Sequence, residues 1–224
     1  MPRISRVAPG GMVFHVLNRG VGRQALFRKP ADYSVFEDCV EETLDKVPMR
    51  ICSYCVMPNH WHLVLWPEHD GDLALFMQRL TVTHVTRWQK SRQRVGEGHV
   101  YQGRFKSFPV ETNKYFYQLV KYVERHALRA NLVPHAEDWQ WSSLWRREAG
   151  TAEQKRLLSK WPLPRPRKWL SFVNEAETEA ELESLRRSVQ RGQPFGSVQW
   201  IEETARQLNL ESTLRPRGRP RKPD

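Results

Sequence analysis

A strand–turn–strand pattern in residues 51–66 constrains the fold of this chain more than any other stretch. Two β-rich runs flank the breaker pair Pro58-Asn59, which predicts an antiparallel hairpin. Alternate side chains of a strand share a face, so His60 and His62 are expected on the same side of the second strand. Two imidazoles on one face form half of a divalent-metal site. The same pattern is also expected of two half-exposed hairpin histidines that bind no metal.

Composition and charge narrow the class of protein. Hydrophobic residues make up 39% of the chain and nine residues are Trp, which is enough apolar material for a core and excludes a disordered chain. The formal net charge is +11, and the basic excess is spread along the sequence. A spread basic excess with many aromatic residues indicates a polyanionic partner, most simply nucleic acid.

The cysteines and the apolar runs bear on the compartment. Three cysteines, an odd number, without a visible secretory signal indicate reduced thiols in the cytoplasm. Cys52 and Cys55 have a zinc-motif spacing, but residues three apart in a strand face opposite ways, so a zinc site is not expected there. Apolar runs fall short of membrane-spanning length, so a membrane partner is not expected either.

Periodic apolar positions predict the other elements up to residue 130. Apolar side chains at steps of three and four residues indicate amphipathic helices, and β-rich runs indicate strands. The predicted strands cover residues 12–18 and 99–110, the second with irregularity at Gly103, and the predicted helices cover residues 30–46, 73–92 and 114–130.

Two of these elements carry further candidate functional residues. In the strand 99–110, Arg104 and Lys106 alternate with aromatic residues, a pattern that binds backbone phosphate and stacks bases, and that also fits a solvated edge strand. In the last helix, Tyr122 and His126 are four residues apart and share one face. That spacing lets one helix deliver a phenol and a third metal ligand, although a buried tyrosine that only packs has the same pattern.

Four segments resemble one protein family. Residues 57–62, Met-Pro-Asn-His-Trp-His, resemble the hallmark of the single-tyrosine transposases of the insertion-sequence-200 type, which belong to the HUH endonucleases. The similarity continues through residues 101–106, 122–132 and 139–143, and the last two segments most resemble the REP-associated tyrosine transposases. The resemblance covers about residues 8–146 and does not rest on the histidine pair alone.

The resemblance implies a fold and a reaction. The implied fold is α+β: a ferredoxin-like or RRM-like antiparallel sheet with helices packed on it. The implied activity is metal-dependent cleavage and joining of single-stranded DNA at REP-type hairpins. A phenol is a weak nucleophile at neutral pH, and a bound metal ion would polarise the scissile phosphate. Attack by the tyrosine would leave a 5′-phosphotyrosine and a free 3′-hydroxyl, which can later reverse the step and join ends.

The resemblance also implies roles for individual residues. Tyr122 takes the place of the nucleophile, and His60, His62 and His126 take the places of the ligands of one Mg²⁺ or Mn²⁺ ion. The family usually has Asn or Gln where His126 stands, and three imidazoles favour softer ions such as Mn²⁺, Zn²⁺ or Ni²⁺ over Mg²⁺. The competing nucleophiles are Tyr115, one heptad before Tyr122, and Tyr117, which is offset from that face.

Several basic residues are candidates for DNA contacts, although a solvated face explains each of them as well. Glu124 is expected on the surface, facing away from Tyr122. The candidates in the folded part are Arg104, Lys106, Lys121, Arg125 and Arg129, and those in the tail are Arg217, Arg219 and Arg221.

The character of the chain changes after residue 148. We expect an HUH transposase domain in residues 1–148 and an accessory, DNA-contacting extension in residues 149–224. A proline-rich link in residues 161–167 precedes helical patterns at 169–173, 175–191 and 198–208. Residues 215–222 hold five positive charges and too few apolar residues to fold alone. Their centre resembles an AT-hook, which binds the minor groove of duplex DNA, and a disordered tail that binds any nucleic acid fits equally.

A second class of function stays open. A non-cleaving DNA-binding regulator or architectural protein with the same fold would share the basic character, but a pure binder needs neither the histidine pair nor Tyr122. A metal hydrolase acting on small substrates fits the basic tail poorly. We expect a cytoplasmic, nucleoid-associated enzyme, as a monomer or a homodimer. The sequence does not specify the hairpin, the cut site or the host process.

Overall fold

A computed structural model describes residues 7–215 of the chain. Its centre is a four-stranded sheet in which every neighbouring pair of strands is antiparallel. The order across the sheet is β2-β3-β1-β4, so the predicted hairpin supplies one edge strand and one central strand. The strands are β1 (Val13–Arg19), β2 (Arg50–Met57), β3 (His60–Trp66) and β4 (Lys106–Val110).

Helices cover both faces of the sheet. Helices α1 (Pro30–Leu44) and α2 (Asp72–Ser91) pack on one face and on each other. Helices α3 (Lys114–Glu124) and α4 (His126–Arg129) lie on the other face. The order β1-α1-β2-β3-α2-β4, with antiparallel pairing, is the ferredoxin-like arrangement, so the predicted fold class is confirmed.

Two hydrophobic clusters, one on each face, explain why the strands are apolar almost throughout. Alternate residues of β3 enter different clusters: Leu63 packs with α1 and α2, and Val64 packs with α3. A sheet covered on both faces needs apolar side chains on both, which the nearly continuous burial of β1, β2 and β3 reflects. The histidines of β3 therefore lie in a buried environment.

Several predicted boundaries differ from the structure. The strand predicted at 99–110 pairs only over Lys106–Val110, and the residues before it make a single bridge from Tyr101 to Gly20. The helix predicted at 73–92 begins one residue earlier, at Asp72, and its N-cap is Gly71 in the left-handed region. The helix predicted at 114–130 divides at Arg125, whose ψ of −3° departs from the helical value and ends α3 before α4 begins.

The prediction that Cys52 and Cys55 face opposite ways was wrong. The pairing of β2 with β3 shifts register between Ile51 and Ser53, which is the signature of a bulge. One extra residue brings both thiols into the cluster on the α3 face, where they are buried. Within residues 7–215, the one group of side chains arranged to hold a metal ion contains no cysteine.

The segment after residue 148 packs back onto the sheet and α3. Helix α5 (Ser143–Glu148) precedes this segment, whose own helices are α6 (Ala152–Lys155), α7 (Trp169–Asn174), α8 (Glu179–Arg191) and α9 (Val198–Gln207). Trp169, Leu185 and Phe195 are buried in the same cluster as α3. Phe195 also makes backbone hydrogen bonds with Pro109 and Glu111, which covers the open edge of β4.

The predicted helix 175–191 begins later than expected, at Glu179, because Thr178 caps it with its side chain. The AT-hook-like tail, with Arg217, Arg219 and Arg221, lies outside the described residues. Among residues 7–215, no helix combines the length and the apolar character that a membrane crossing requires.

Candidate active site

Three histidines from two elements meet on the α3 face of the sheet. His60 and His62 project from the same side of β3, and His126 is the first residue of α4. Nε2 of His60 lies 3.0 Å from Nε2 of His126, and the rings of His62 and His126 are 4.5 Å apart between centroids. One ring nitrogen from each of the three lies within 4.8 Å of the others, so the structure brings together the three residues that the sequence proposed as ligands.

Burial keeps these imidazoles neutral. Desolvation lowers the pKa of His60 to about 4, with a further contribution from the nearby Arg19 and Arg129 guanidinium groups. Desolvation, followed by neighbouring imidazole and guanidinium charges, also holds the pKa values of His62 and His126 well below their ordinary range. Neutral imidazole is the form that binds a metal ion.

The hydrogen bonds of His60 and His62 fit a metal site. Nδ1 of His60 lies 2.6 Å from Oδ1 of Asn59, an acceptor, so the proton of His60 is on Nδ1 and Nε2 keeps its lone pair. Nε2 of His62 is buried without a hydrogen-bond partner among the described residues. A buried nitrogen without a partner is costly, and a cation in the histidine cluster would satisfy it.

His126 fits the same site only after a local change. Nη2 of Arg129 lies 2.6 Å from Nδ1 of His126, and a guanidinium can only donate. Nδ1 therefore accepts, and the proton of a neutral His126 ring is on Nε2. For Nε2 to bind a metal ion, Arg129 must withdraw from Nδ1.

Tyr122 is the tyrosine beside this cluster. Its ring is 5.6 Å from that of His126 and 6.0 Å from that of His62, and the guanidinium carbon of Arg129 lies 4.2 Å from its centroid. Burial raises the pKa of Tyr122, and the charge of Arg129 opposes that rise. Of the two competing nucleophiles, Tyr115 packs its ring against Phe195 in the extension, and the hydroxyl of Tyr117 donates to the carbonyl oxygen of Pro164 at 2.7 Å.

The five candidate DNA-contacting cations of the folded part divide into three groups. Arg104 and Lys106 are exposed, at the end of the irregular segment and the start of β4. Lys121 is buried, with its ammonium 4.1 Å from the ring of Phe172. Arg125 and Arg129 are both ion-paired with Glu177, at 3.0 and 2.6 Å.

The prediction that Glu124 is a surface residue was wrong. Its side chain is fully buried and accepts hydrogen bonds from Oγ of Ser143 at 2.7 Å and from Nε1 of Trp169 at 2.8 Å. It does point away from Tyr122, but α7 covers the side of α3 to which it points. Burial raises the pKa of this carboxyl group, and the two hydrogen bonds oppose the rise.

From the sequence, His15 could either approach the site or pack in the core, and the packed core histidine is the preferred interpretation. His15 is fully buried, and its Nε2 lies 2.9 Å from Nδ1 of His62. Its position in an apolar strand carried a weak signal, but the register between β1 and β3 that sets this contact has no local signature.

Comparisons with known proteins agree with this architecture and assign it to the transposases. The family model described as "Transposase IS200 like" matches residues 10–126, slightly more than half of the chain. The chain therefore belongs to the IS200-like transposase family. The matched residues include His60, His62, Tyr122 and His126.

Two similar proteins refine the comparison. A candidate REP-associated tyrosine transposase of Haemophilus influenzae is 26% identical over 120 residues, which cover 50% of this chain and 68% of that protein. A solved structure of a REP-associated tyrosine transposase bound to a REP hairpin has the same fold, with a TM-score of 0.54 and 18% identity. The match covers 80% of this chain and all of that one. The resemblance drawn from the sequence and the expectation of a transposase enzyme are thus confirmed.

Proposed function

We propose that this transposase is a metal-dependent endonuclease and strand transferase that acts on single-stranded DNA at REP-type hairpins. The observation that carries the proposal is the convergence of Tyr122 with three neutral histidines, two of them buried and one half-buried, in an IS200-like chain. The substrate class is supported by the similar solved protein, which is bound to a REP hairpin.

The proposed reaction begins at the Tyr122 hydroxyl. Its oxygen attacks the scissile phosphorus, the bond from phosphorus to the 3′-oxygen breaks, and the products are a 5′-phosphotyrosine and a free 3′-hydroxyl. The phenol gives up its proton to solvent, the departing 3′-oxygen takes up a proton in turn, and the Arg129 guanidinium over the ring stabilises the phenolate charge. Attack by a 3′-hydroxyl on the phosphotyrosine reverses the step and joins DNA ends.

His60, His62 and His126 are the residues that would hold a divalent ion, Mg²⁺ or Mn²⁺. When bound, the ion would polarise the scissile phosphate and stabilise its developing charge. An all-imidazole set favours Mn²⁺ over Mg²⁺. The protein supplies the neutral rings and the low-polarity surroundings, and it must release the bond from Arg129 to His126.

The charged surface suggests how DNA is bound. We assign residues 1–148 to the transposase domain and residues 149–224 to an accessory extension. Arg104 and Lys106 are exposed and available to phosphate, whereas Arg125 and Arg129 become available only when their ion pairs with Glu177 open. The tail arginines, Arg217, Arg219 and Arg221, would add contacts to duplex DNA. An enzyme that acts on chromosomal hairpins would work in the cytoplasm, at the nucleoid. Its proposed oligomeric state is a monomer or a homodimer.

The experiment that tests this function looks for a covalent intermediate. The full chain is incubated with hairpin oligonucleotides from its genome's repeated palindromes and Mn²⁺ or Mg²⁺, and a denaturation-resistant adduct is mapped by mass spectrometry. We expect the adduct on Tyr122. Tight hairpin binding without an adduct in either metal would instead favour the non-cleaving regulator.

The ligand set is tested separately with His126→Ala. We expect this variant to lose metal-dependent cleavage and most of its Mn²⁺ affinity. The matched control is His135→Ala, because His135 is 64% exposed and stands apart from the cluster. Wild-type behaviour of His126→Ala would remove His126 from the ligand set.

A further inference from the structure

We propose that His15 is a positioning residue for the metal site: it accepts a hydrogen bond from Nδ1 of His62 and thereby directs the Nε2 lone pair of His62 into the histidine cluster. The inference rests on the proposed metal site. The contact is direct, since Nε2 of His15 and Nδ1 of His62 are 2.9 Å apart. The two rings are nearly parallel, with an interplanar angle of 14°.

The tautomers follow from the requirement of ligation. A neutral imidazole carries one proton, so a His62 ring that ligates through Nε2 must carry its proton on Nδ1. That N–H faces Nε2 of His15, which must then be the unprotonated acceptor, and the His15 proton is on Nδ1. The opposite pair of tautomers would direct an N–H of His62 into the cluster, where it cannot bind a cation.

The surroundings leave the choice of tautomer to the metal ion and His15. Nδ1 of His15 and Nε2 of His62 are both buried without a hydrogen-bond partner among residues 7–215. No described protein group therefore competes for either atom. Among the described residues, the acceptor nitrogen of His15 is thus the group that holds the His62 proton on Nδ1, away from the histidine cluster.

The scaffold holds the acceptor in place. His15 lies on β1, which pairs with both β3 and β4, so its backbone is fixed on two sides. Its ring packs against Phe108 at 4.8 Å between centroids and is fully buried. Outer hydrogen bonds of this kind orient a ligand ring and raise its basicity, and their loss typically costs about 10–100-fold in metal affinity.

A packing role and a positioning role are separated by two substitutions. His15→Leu fills similar volume without an acceptor, whereas His15→Gln retains an amide oxygen that can accept from His62. Mn²⁺ affinity is measured by calorimetry on the full chain, with circular dichroism to verify the fold. We expect His15→Leu to weaken binding about 10–100-fold and His15→Gln to recover much of the loss.

The matched control is His84→Leu. His84 is an equally buried histidine, but it belongs to the other face of the sheet and is bonded to the Tyr101 hydroxyl. We expect its Mn²⁺ affinity to stay at the wild-type value. Wild-type affinity in a folded His15→Leu variant, or equal losses in the His15 and His84 variants, would overturn the proposal. If the wild-type chain binds no metal ion, the proposed metal site is wrong, and His15 then has no ligand ring to position.

A second measurement holds even if His15→Leu does not fold. Nitrogen-15 NMR of histidine-labelled wild-type protein with Mg²⁺ or Zn²⁺ reports which ring nitrogens carry protons. We expect Nδ1 of His62 to be protonated and Nε2 of His15 to be unprotonated. A protonated Nε2 of His15 in the metal-bound protein would refute the assignment.

Discussion

Burial sets the chemistry of the single side chains in this site. The same desolvation that keeps the histidines neutral also raises the pKa of Tyr122, so the phenol is protonated at neutral pH and needs help to become a nucleophile. Arg129 is the nearest charge that favours the phenolate. It also binds His126, so one guanidinium links the nucleophile with a candidate ligand.

The first prediction concerns Tyr122→Phe. We expect the variant to form no covalent adduct with a hairpin, because the attacking oxygen is missing, and to bind the hairpin with near wild-type affinity. Gel analysis of the adduct and fluorescence anisotropy measure the two properties. Tyr115→Phe is the control, since Tyr115 packs on Phe195, and it should retain adduct formation. An adduct in Tyr122→Phe and none in Tyr115→Phe would exchange their roles.

The second prediction concerns acid stability. Burial lowers the pKa of His84 to about 3, with Arg92 lowering it further and Asp32 opposing, against about 6.5 in the unfolded chain. Below pH 6.5 the unfolded chain takes up a proton that the folded chain does not. The free energy of unfolding should therefore fall as the pH falls from about 6.5 towards 3.

His84→Gln should show a shallower decline over this window, by up to about 1.4 kcal/mol per pH unit, measured by urea denaturation. Parallel pH profiles for His84→Gln and the wild type would show that His84 is not the group responsible.

Helix α3 connects the site with the rest of the protein because it is buried on two sides. Tyr122 faces the histidines, and Glu124 faces α5 and α7. Glu177, just before α8, holds Arg125 and Arg129 at the junction of α3 and α4. The extension thus contacts the helix that carries the candidate nucleophile at several points, and its packing bears on where Tyr122 stands.

The third prediction tests the buried hydrogen bonds of α3. We expect Glu124→Ala to lower the free energy of unfolding by about 1–3 kcal/mol, because it leaves the indole N–H of Trp169 without an acceptor. Glu124→Gln keeps an acceptor oxygen and should cost less. Urea denaturation measures both. Equal stability of Glu124→Ala and the wild type would mean that these hydrogen bonds contribute nothing net.

For the molecule as a whole, the feature that acts on a nucleic acid over the longest distance is its net positive charge. The net charge of +11 attracts any nucleic acid, and the basic tail concentrates part of it outside the described residues. Binding of cations to phosphates releases counterions, so their contribution to affinity decreases as salt increases.

The fourth prediction follows from this salt dependence. Deleting residues 215–224 should weaken DNA binding most at low salt and reduce the slope of log affinity against log salt by about 0.7–0.9 for each phosphate that the tail neutralises. Anisotropy titrations between about 50 and 200 mM salt measure both. A chain with Gln at Arg217, Arg219 and Arg221 should reproduce much of the effect at unchanged length. Unchanged affinity and slope would make the tail irrelevant to DNA binding.

Local sequence patterns were sufficient for much of this protein. Alternation predicted the hairpin with His60 and His62 on one face, and the four-residue spacing predicted that Tyr122 and His126 lie together. Four sequence segments in the same order as in the IS200-like transposases indicated the family, and the family implied the ferredoxin-like fold. These features depend on residues a few positions apart or on a family resemblance. Both can be recognised in the amino-acid sequence without a tertiary structure.

Other features depended on packing between distant segments. Glu124 is buried because α7 covers it, His15 meets His62 because β1 pairs with β3 in one register, and Cys52 shares a face with Cys55 because of a bulge. Periodicity records which face of an element is apolar, but it does not record which partner covers a face or how two strands align. Those choices are made by packing across the whole fold, and they set the hydrogen bonds around the histidine cluster.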